Sequence, residues 1–105
     1  MVRLIVALDA DSARSAQDLL DALRFIVLNT RLEQDCLDCC AWGDPDWTVR
    51  YVEEWPSERR LRERVRSHRF TSLLSIVESA RSAQVRFDFV STTRGLDFVT
   101  EVRSE

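Results

Sequence analysis

The feature that most constrains the fold is a change of hydrophobic period along the chain. Residues Val2–Leu8 form a short aliphatic run, whereas apolar residues from Ala16 to Thr30 recur at steps of three and four. The first pattern is typical of a strand and the second of an amphipathic helix. The beginning of the chain therefore predicts a strand over Val2–Leu8 and a helix near 12–32.

The next part of the chain predicts a hairpin. Strand-forming residues are concentrated in Cys36–Trp42 and again in Trp47–Trp55. The segment between them, Gly43-Asp44-Pro45-Asp46, has the composition of a turn. Pro56-Ser57 then ends the second strand and supplies a helix cap. Two antiparallel strands followed directly by a helix are expected.

The helical region that follows is interrupted. Its apolar residues change phase near Ser67-His68, which predicts two helices, near 57–66 and 69–80. The C-terminal part predicts a second hairpin, because apolar and polar residues alternate around Val85–Phe89 and again over Leu96–Val102.

Thr92-Thr93-Arg94-Gly95 is the predicted turn of this second hairpin. The resulting order, β-α-β-β-α-β with an extra C-terminal strand, is that of an α+β, ferredoxin-like split β-α-β sandwich. In such a sandwich the helices cover one face of the sheet. The first strand also places Ile5 and Ala7 on the other face, so we expect two copies to pack sheet against sheet as a homodimer. The alternative is a monomer whose second face is of mixed polarity.

Composition limits the class of protein. A chain of 105 residues fits one domain, residues 1–105, and its net charge of −3 does not favour a nucleic-acid partner. No segment has the roughly 18 consecutive apolar residues of a membrane span, and the N-terminus lacks the pattern of a signal peptide. Three crowded cysteines, an odd number, suit a reducing compartment. We therefore expect a soluble cytoplasmic protein.

Short motifs along the chain resemble one family. Val52-Glu53-Glu54-Trp55-Pro56-Ser57-Glu58 resembles the "EEWxS" signature of the antibiotic biosynthesis monooxygenases, Thr30–Cys36 resembles their "TRxExGC" passage, and Ser67–Phe70 resembles their "SPHF". The resemblance implies a dimeric α+β barrel in which each subunit has a pocket between its sheet and helices. It also implies that some relatives oxidise quinols or polyphenols with O₂ and without metal or flavin, while others degrade haem.

The sequence departs from these relatives in the pocket. The quinol-oxidising branch has a Trp with an Asn four residues before it and a Tyr six after, and the matching positions here are Trp55, Tyr51 and Leu61. The usual His of the second helix is Arg64, and the residues needed for haem breakdown are also replaced. Haem degradation is therefore not expected.

The candidate binding site is an aromatic wall. Trp47, Val49, Tyr51, Glu53 and Trp55 alternate along one strand, so they are predicted to share one face. Flat aromatic ligands stack well on such a wall. The predicted substrate-binding residues, with those the resemblance implies, are Trp55, Tyr51, Leu61, Phe70 and Leu74. The alternative is that these side chains simply form the core.

The candidate catalytic residues are His68 and Tyr51. Oxidation without a cofactor needs a base that deprotonates the substrate, and His68 is the only imidazole of the chain. The alternative is a surface histidine at a helix break. A zinc site built from Cys36, Cys39, Cys40 and His68 is disfavoured, because in a strand Cys39 points away from the other two thiols.

Two functions are compatible with these patterns. The first is a cofactor-independent monooxygenase acting on a small electron-rich aromatic molecule, such as a quinol or polyphenol. The second is a non-catalytic dimer of the same fold that binds a ligand or stabilises a partner.

Overall fold

The computed structural model describes residues 1–89 and 93–105. The elements in chain order are β1 (Val2–Asp9), α1 (Ala13–Thr30), β2 (Asp38–Gly43), β3 (Thr48–Trp55), α2 (Glu58–Arg66), α3 (Phe70–Ser79), β4 (Ser82–Asp88), β5 (Thr93–Arg94) and α4 (Asp97–Arg103).

The strands form one sheet in the order β2-β3-β1-β4-β5, with every neighbouring pair antiparallel. β1 lies at the centre, between β3 and β4, and the two helical connections join strands that are not neighbours in the sheet. This topology confirms the predicted α+β, ferredoxin-like sandwich.

The alternation of β1 separates the two faces of the sheet. Val2, Leu4, Val6 and Leu8 are buried in the core beneath the helices. The residues between them point to the opposite face, where Arg3 and Asp9 are exposed and Ile5 and Ala7 are partly exposed. We call this second side of the sheet the open face.

The helices begin and end close to the predicted residues. The Ser12 side chain caps α1 by accepting a hydrogen bond of 3.0 Å from the Ser15 N–H, and Ser57 caps α2 in the same way through Arg60. The predicted break between α2 and α3 is confirmed, since neither helix includes Ser67-His68.

The prediction of the C-terminal hairpin is wrong. The segment expected as its second strand, residues 96–102, lies almost entirely in α4, and the fifth strand, β5, is formed instead by Thr93-Arg94, which were predicted to lie in the turn. The buried residues of this segment are Phe98, Val99 and Val102, whereas Leu96 is exposed. Val99 and Val102 follow Phe98 by one and four residues, a spacing that places all three on one side of a helix. The predicted turn residue Thr92 lies outside the described residues.

Trp47 does not belong to the predicted aromatic wall. It lies in the turn before β3 with a φ of 67°, and 46% of its surface is exposed. A positive φ is not a strand conformation, so the Trp47 side chain does not follow the alternation of side chains in β3, which begins at Thr48.

Within the described residues, no helix is long and apolar enough to cross a membrane.

Candidate functional site

A buried polar cluster centres on Glu53. Because β3 alternates, Val49, Tyr51, Glu53 and Trp55 all point towards the helices and are buried. The Glu53 carboxylate accepts hydrogen bonds from the Tyr51 hydroxyl at 2.5 Å and from the Trp55 indole N–H at 2.9 Å. Both aromatic side chains are therefore held by the same carboxylate.

Arg64 supplies the opposite charge. It follows Leu61 by three residues on α2 and so lies on the buried stripe of that helix, where its side chain is almost fully buried. Its guanidinium donates to Glu53 at 2.9 Å, to Glu33 at 3.0 Å and to the Thr30 hydroxyl at 3.1 Å. Burial by itself lowers the pKa of Arg64, but the Glu53 and Glu33 carboxylates outweigh burial and raise it.

The cluster continues from Tyr51 to a thiol. The Cys39 Sγ–H donates to the Tyr51 hydroxyl oxygen at 3.3 Å. Burial, helped by the Glu53 charge, raises the pKa of Cys39 from its ordinary value of 9.0 to about 12. The same two causes, in the same order, raise the pKa of Tyr51 well above 10.0. Both groups therefore remain protonated at neutral pH.

A cavity of about 300 Å³ opens beside this cluster, between α1, the segment after α1, and the α2–α3 region. Its volume is at the lower end of the range for small-molecule pockets. The cavity is lined by Phe25, Ile26, Asn29, Thr30, Glu33, Arg64, Arg69 and Ser72. An apolar side from α1 thus meets a polar side that includes the Arg64–Glu33 ion pair.

The predicted site residues lie behind this cavity or away from it. Tyr51, Trp55 and Leu61 have no exposed surface, Phe70 is 2% exposed, and Leu74 is partly exposed against the core. His68 is exposed at the break between α2 and α3. The structure joins Tyr51 to Trp55 through Glu53, and none of the six predicted residues lines the cavity.

Sequence reasoning did not assign Glu33 and Arg64 to the site. A signal for Arg64 exists, because a charged residue on the buried stripe of α2 needs a buried partner, and Glu53 occupies a buried position of β3. The signal for Glu33, which lies between α1 and β2, is its place as the Glu of the passage Thr30–Cys36 that resembles "TRxExGC". Periodicity gives no indication of its contact with Arg64, 31 residues away in the chain.

Metal binding has little support in this arrangement. The three cysteines are free thiols, with Cys39 facing the helices and Cys40 on the open face. Across residues 1–89 and 93–105, His, Cys, Asp and Glu side chains form no group of three suited to a metal ion.

Comparisons with known proteins give the fold a wider context. No protein-family model matches the sequence, and no curated protein matches it. Among solved structures, an antibiotic biosynthesis monooxygenase is 22% identical, with a TM-score of 0.69 over 88% of this chain and 100% of that one. A Deinococcus radiodurans protein that carries the same name provisionally is 20% identical, with a TM-score of 0.73 over 88% of this chain and 94% of its own.

A conserved protein from Methanosarcina mazei is also similar. It is 15% identical, with a TM-score of 0.69 over 83% of this chain and 89% of that one. Likeness at these identities demonstrates a common fold. The chain therefore has the ferredoxin-like α+β fold of the antibiotic biosynthesis monooxygenase structures, the fold that its motifs predict.

Proposed function

We propose that this protein, which folds like the antibiotic biosynthesis monooxygenases, oxidises a small electron-rich aromatic molecule with O₂ and without metal or flavin. The observation that carries the proposal is the cavity beside the Arg64–Glu33 ion pair. It combines an apolar side for a ring with a carboxylate and a guanidinium for a ring hydroxyl. The fold supports the same conclusion, because two of the similar structures are named as monooxygenases.

The proposed reaction begins with a proton transfer. Glu33 accepts the proton of the ring hydroxyl, and the resulting phenolate gives electrons to O₂ far more readily than the phenol does. Arg64 stabilises the negative charge that develops beside it. The substrate supplies all four electrons, so that one oxygen atom enters the ring and the other leaves as water. Glu53 and Thr30 hold the guanidinium in place during these steps.

The proposal gives Tyr51 and Trp55 a different role from the predicted one. Instead of contacting the substrate, they support the site from behind through Glu53. His68, the predicted base, is exposed at the helix break and remains the alternative to Glu33 as proton acceptor. The working form is a homodimer that buries the open face, located in the cytoplasm, where the three thiols remain reduced.

Oxygen uptake with a panel of hydroquinones and anthrols tests the activity. We expect turnover by the unmodified protein and a loss of about 100-fold or more in kcat for Glu33→Gln, because a general base contributes that much. Glu78→Gln changes an exposed carboxylate of α3 outside the cavity and serves as the matched control. Equal rates for the two variants would reject the role of Glu33. Trp55→Phe and His68→Ala in the same assay test the other two roles.

The burial of the predicted pocket residues favours a second candidate, the non-catalytic dimer. The Tyr51 hydroxyl and the Trp55 indole N–H are both bound to Glu53, so neither group is free to hold a ligand. Ligand binding without oxygen uptake for any member of the panel would favour this second function.

A further inference from the structure

The cavity wall carries two guanidinium groups in different states. Arg64 is buried and bound to Glu53 and Glu33. Arg69, which precedes α3, is exposed, and within the described ranges 1–89 and 93–105 no carboxylate lies within ion-pairing distance of it. A ligand anion can therefore bind Arg69 without displacing a partner in the protein.

Phe25 gives the cavity an exposed aromatic surface. It lies on α1 beside Ile26, lines the cavity, and has 67% of its surface exposed. A large ring exposed at the wall of a concave site is a surface that an aromatic ligand covers favourably, because stacking adds to the burial of apolar area.

Glu33 adds a hydrogen-bond acceptor. Its Oε2 atom accepts a hydrogen bond from the Arg64 guanidinium, and its Oε1 atom accepts none from the part of the chain that the structure describes. A ring hydroxyl can donate to this second oxygen. The lining residues thus offer a ring surface, an acceptor for a hydroxyl, and in Arg69 a cation that pairs with no carboxylate of the described part of the chain.

We propose that the ligand of this cavity is an aromatic carboxylate that also carries a ring hydroxyl. The carboxylate pairs with Arg69, the hydroxyl donates to Glu33, and the ring packs on Phe25. This inference rests on the proposed function for the site itself and adds the substrate class. It makes Arg69 the residue that distinguishes acids from neutral phenols.

Binding measured by calorimetry without O₂ tests the inference, with 6-hydroxy-2-naphthoate and its neutral amide, 6-hydroxy-2-naphthamide, as probes. For the unmodified protein we expect the acid to bind at least about fivefold more tightly than the amide. Arg69→Gln should remove this difference. Arg59→Gln, which changes another exposed arginine that does not line the cavity, should keep it. Thermal unfolding curves verify that both variants are folded.

Three outcomes would overturn the inference: equal affinity for acid and amide, the same loss in both variants, or no binding of either probe. Because O₂ is absent, the result does not depend on turnover. A preference for the acid that depends on Arg69, combined with no oxygen uptake in the separate assay, would support the ligand class and reject the oxygenase function. Turnover with no preference for acids would support the oxygenase function and reject the ligand class.

Discussion

Glu53 is the residue on which the polar contacts of the core converge. It has no exposed surface and lies on the face of the sheet that the helices cover. Its carboxylate accepts hydrogen bonds from Tyr51, Trp55 and Arg64. A buried carboxylate is costly to desolvate, and its cost is offset here by three donors, one of them charged. The arrangement fixes the orientation of the two aromatic side chains and keeps Arg64 beside the cavity.

Glu53→Gln should destabilise the protein strongly, because it leaves the buried Arg64 with a much weaker partner. We expect a loss of about 3–5 kcal/mol in the free energy of unfolding, measured by urea denaturation. The control is Glu54→Gln, since Glu54 lies on the open face with only a 3.9 Å contact to Arg3. The free energy of unfolding of Glu54→Gln should fall by less than about 1 kcal/mol. Similar losses for the two variants would contradict the central position of Glu53.

The buried thiols predict a loss of stability in alkali. The pKa of Cys39 is 9.0 in its ordinary state and about 12 in the folded protein, so between these values the unfolded chain loses a proton that the folded chain keeps. The contribution of this thiol to the free energy of unfolding is fully present below pH 9. Above pH 9 the free energy of unfolding decreases by about 1.4 kcal/mol per pH unit for one thiol. Cys36, whose pKa burial raises to about 11, acts in the same direction.

Urea unfolding at pH 8 to 11 under reducing conditions measures this loss. Cys39→Ala should give a shallower decline of stability with pH than the unmodified protein. Cys40→Ala removes a less buried thiol and should retain more of the decline. An unchanged slope in Cys39→Ala would show that this thiol does not titrate as described.

At the scale of elements, α4 is the clearest departure from the sequence prediction. Its Phe98 packs against Phe87 of β4, with ring centroids 4.7 Å apart, and against Phe89 at 5.1 Å. Arg103 at its end donates to the Val65 carbonyl of α2 at 2.7 Å. The helix therefore closes the core over the end of β4 and joins it to α2.

Two aspartate substitutions separate a helix from a strand in this segment. Val99 of α4 is buried, and Leu96, which directly precedes α4, is exposed. A strand over 96–102 would reverse this, because Leu96 would share the buried face with Phe98 and Val99 would point to the other face. We expect Val99→Asp to lower the unfolding free energy by about 3 kcal/mol or more and Leu96→Asp by less than about 1 kcal/mol. Chemical denaturation gives both values. The opposite order would favour the strand.

At the scale of the whole molecule, the open face of the sheet is a large surface over which the described segments, 1–89 and 93–105, place no helix. The register places Ile5 and Cys40 on either side of Val52, with Ala7 nearby, and all four are partly exposed. Charged residues of both signs surround this apolar centre, including Arg50 and others of β1, β3 and β4. A two-fold dimer can pair such a surface with itself, because a two-fold axis brings each residue of one copy against a different residue of the other, so that arginines and carboxylates can meet.

Light scattering and sedimentation test the proposed dimer. We expect a mass about twice the 12.2 kDa of one chain. Val52→Asp should produce monomers, because it places a charge at the apolar centre of the open face. Thr71→Asp on the exposed side of α3 is the control and should remain dimeric. A monomer persisting at high concentration in the unmodified protein would end the proposal of sheet-to-sheet packing.

The sequence by itself determined the order of the elements from β1 to β4 and the faces of the central strands. Alternation in β1 and β3 and the three-to-four spacing in α1 are local patterns, and the burial of Leu4, Tyr51 and Leu23 follows from them. The break at Ser67-His68 is also local, since a phase shift of the apolar stripe cannot be accommodated in one straight amphipathic helix.

Only the tertiary structure decided which charges meet and what the last segment becomes. Phe98 and Val102 are four residues apart, a spacing that fits one face of a helix and one face of a strand equally well, and contacts with β4 and α2 distinguish the two. Arg64 joins Glu53 and Glu33 across 11 and 31 residues. Periodicity reports which side of an element is buried, whereas the partner across the core depends on packing between distant segments.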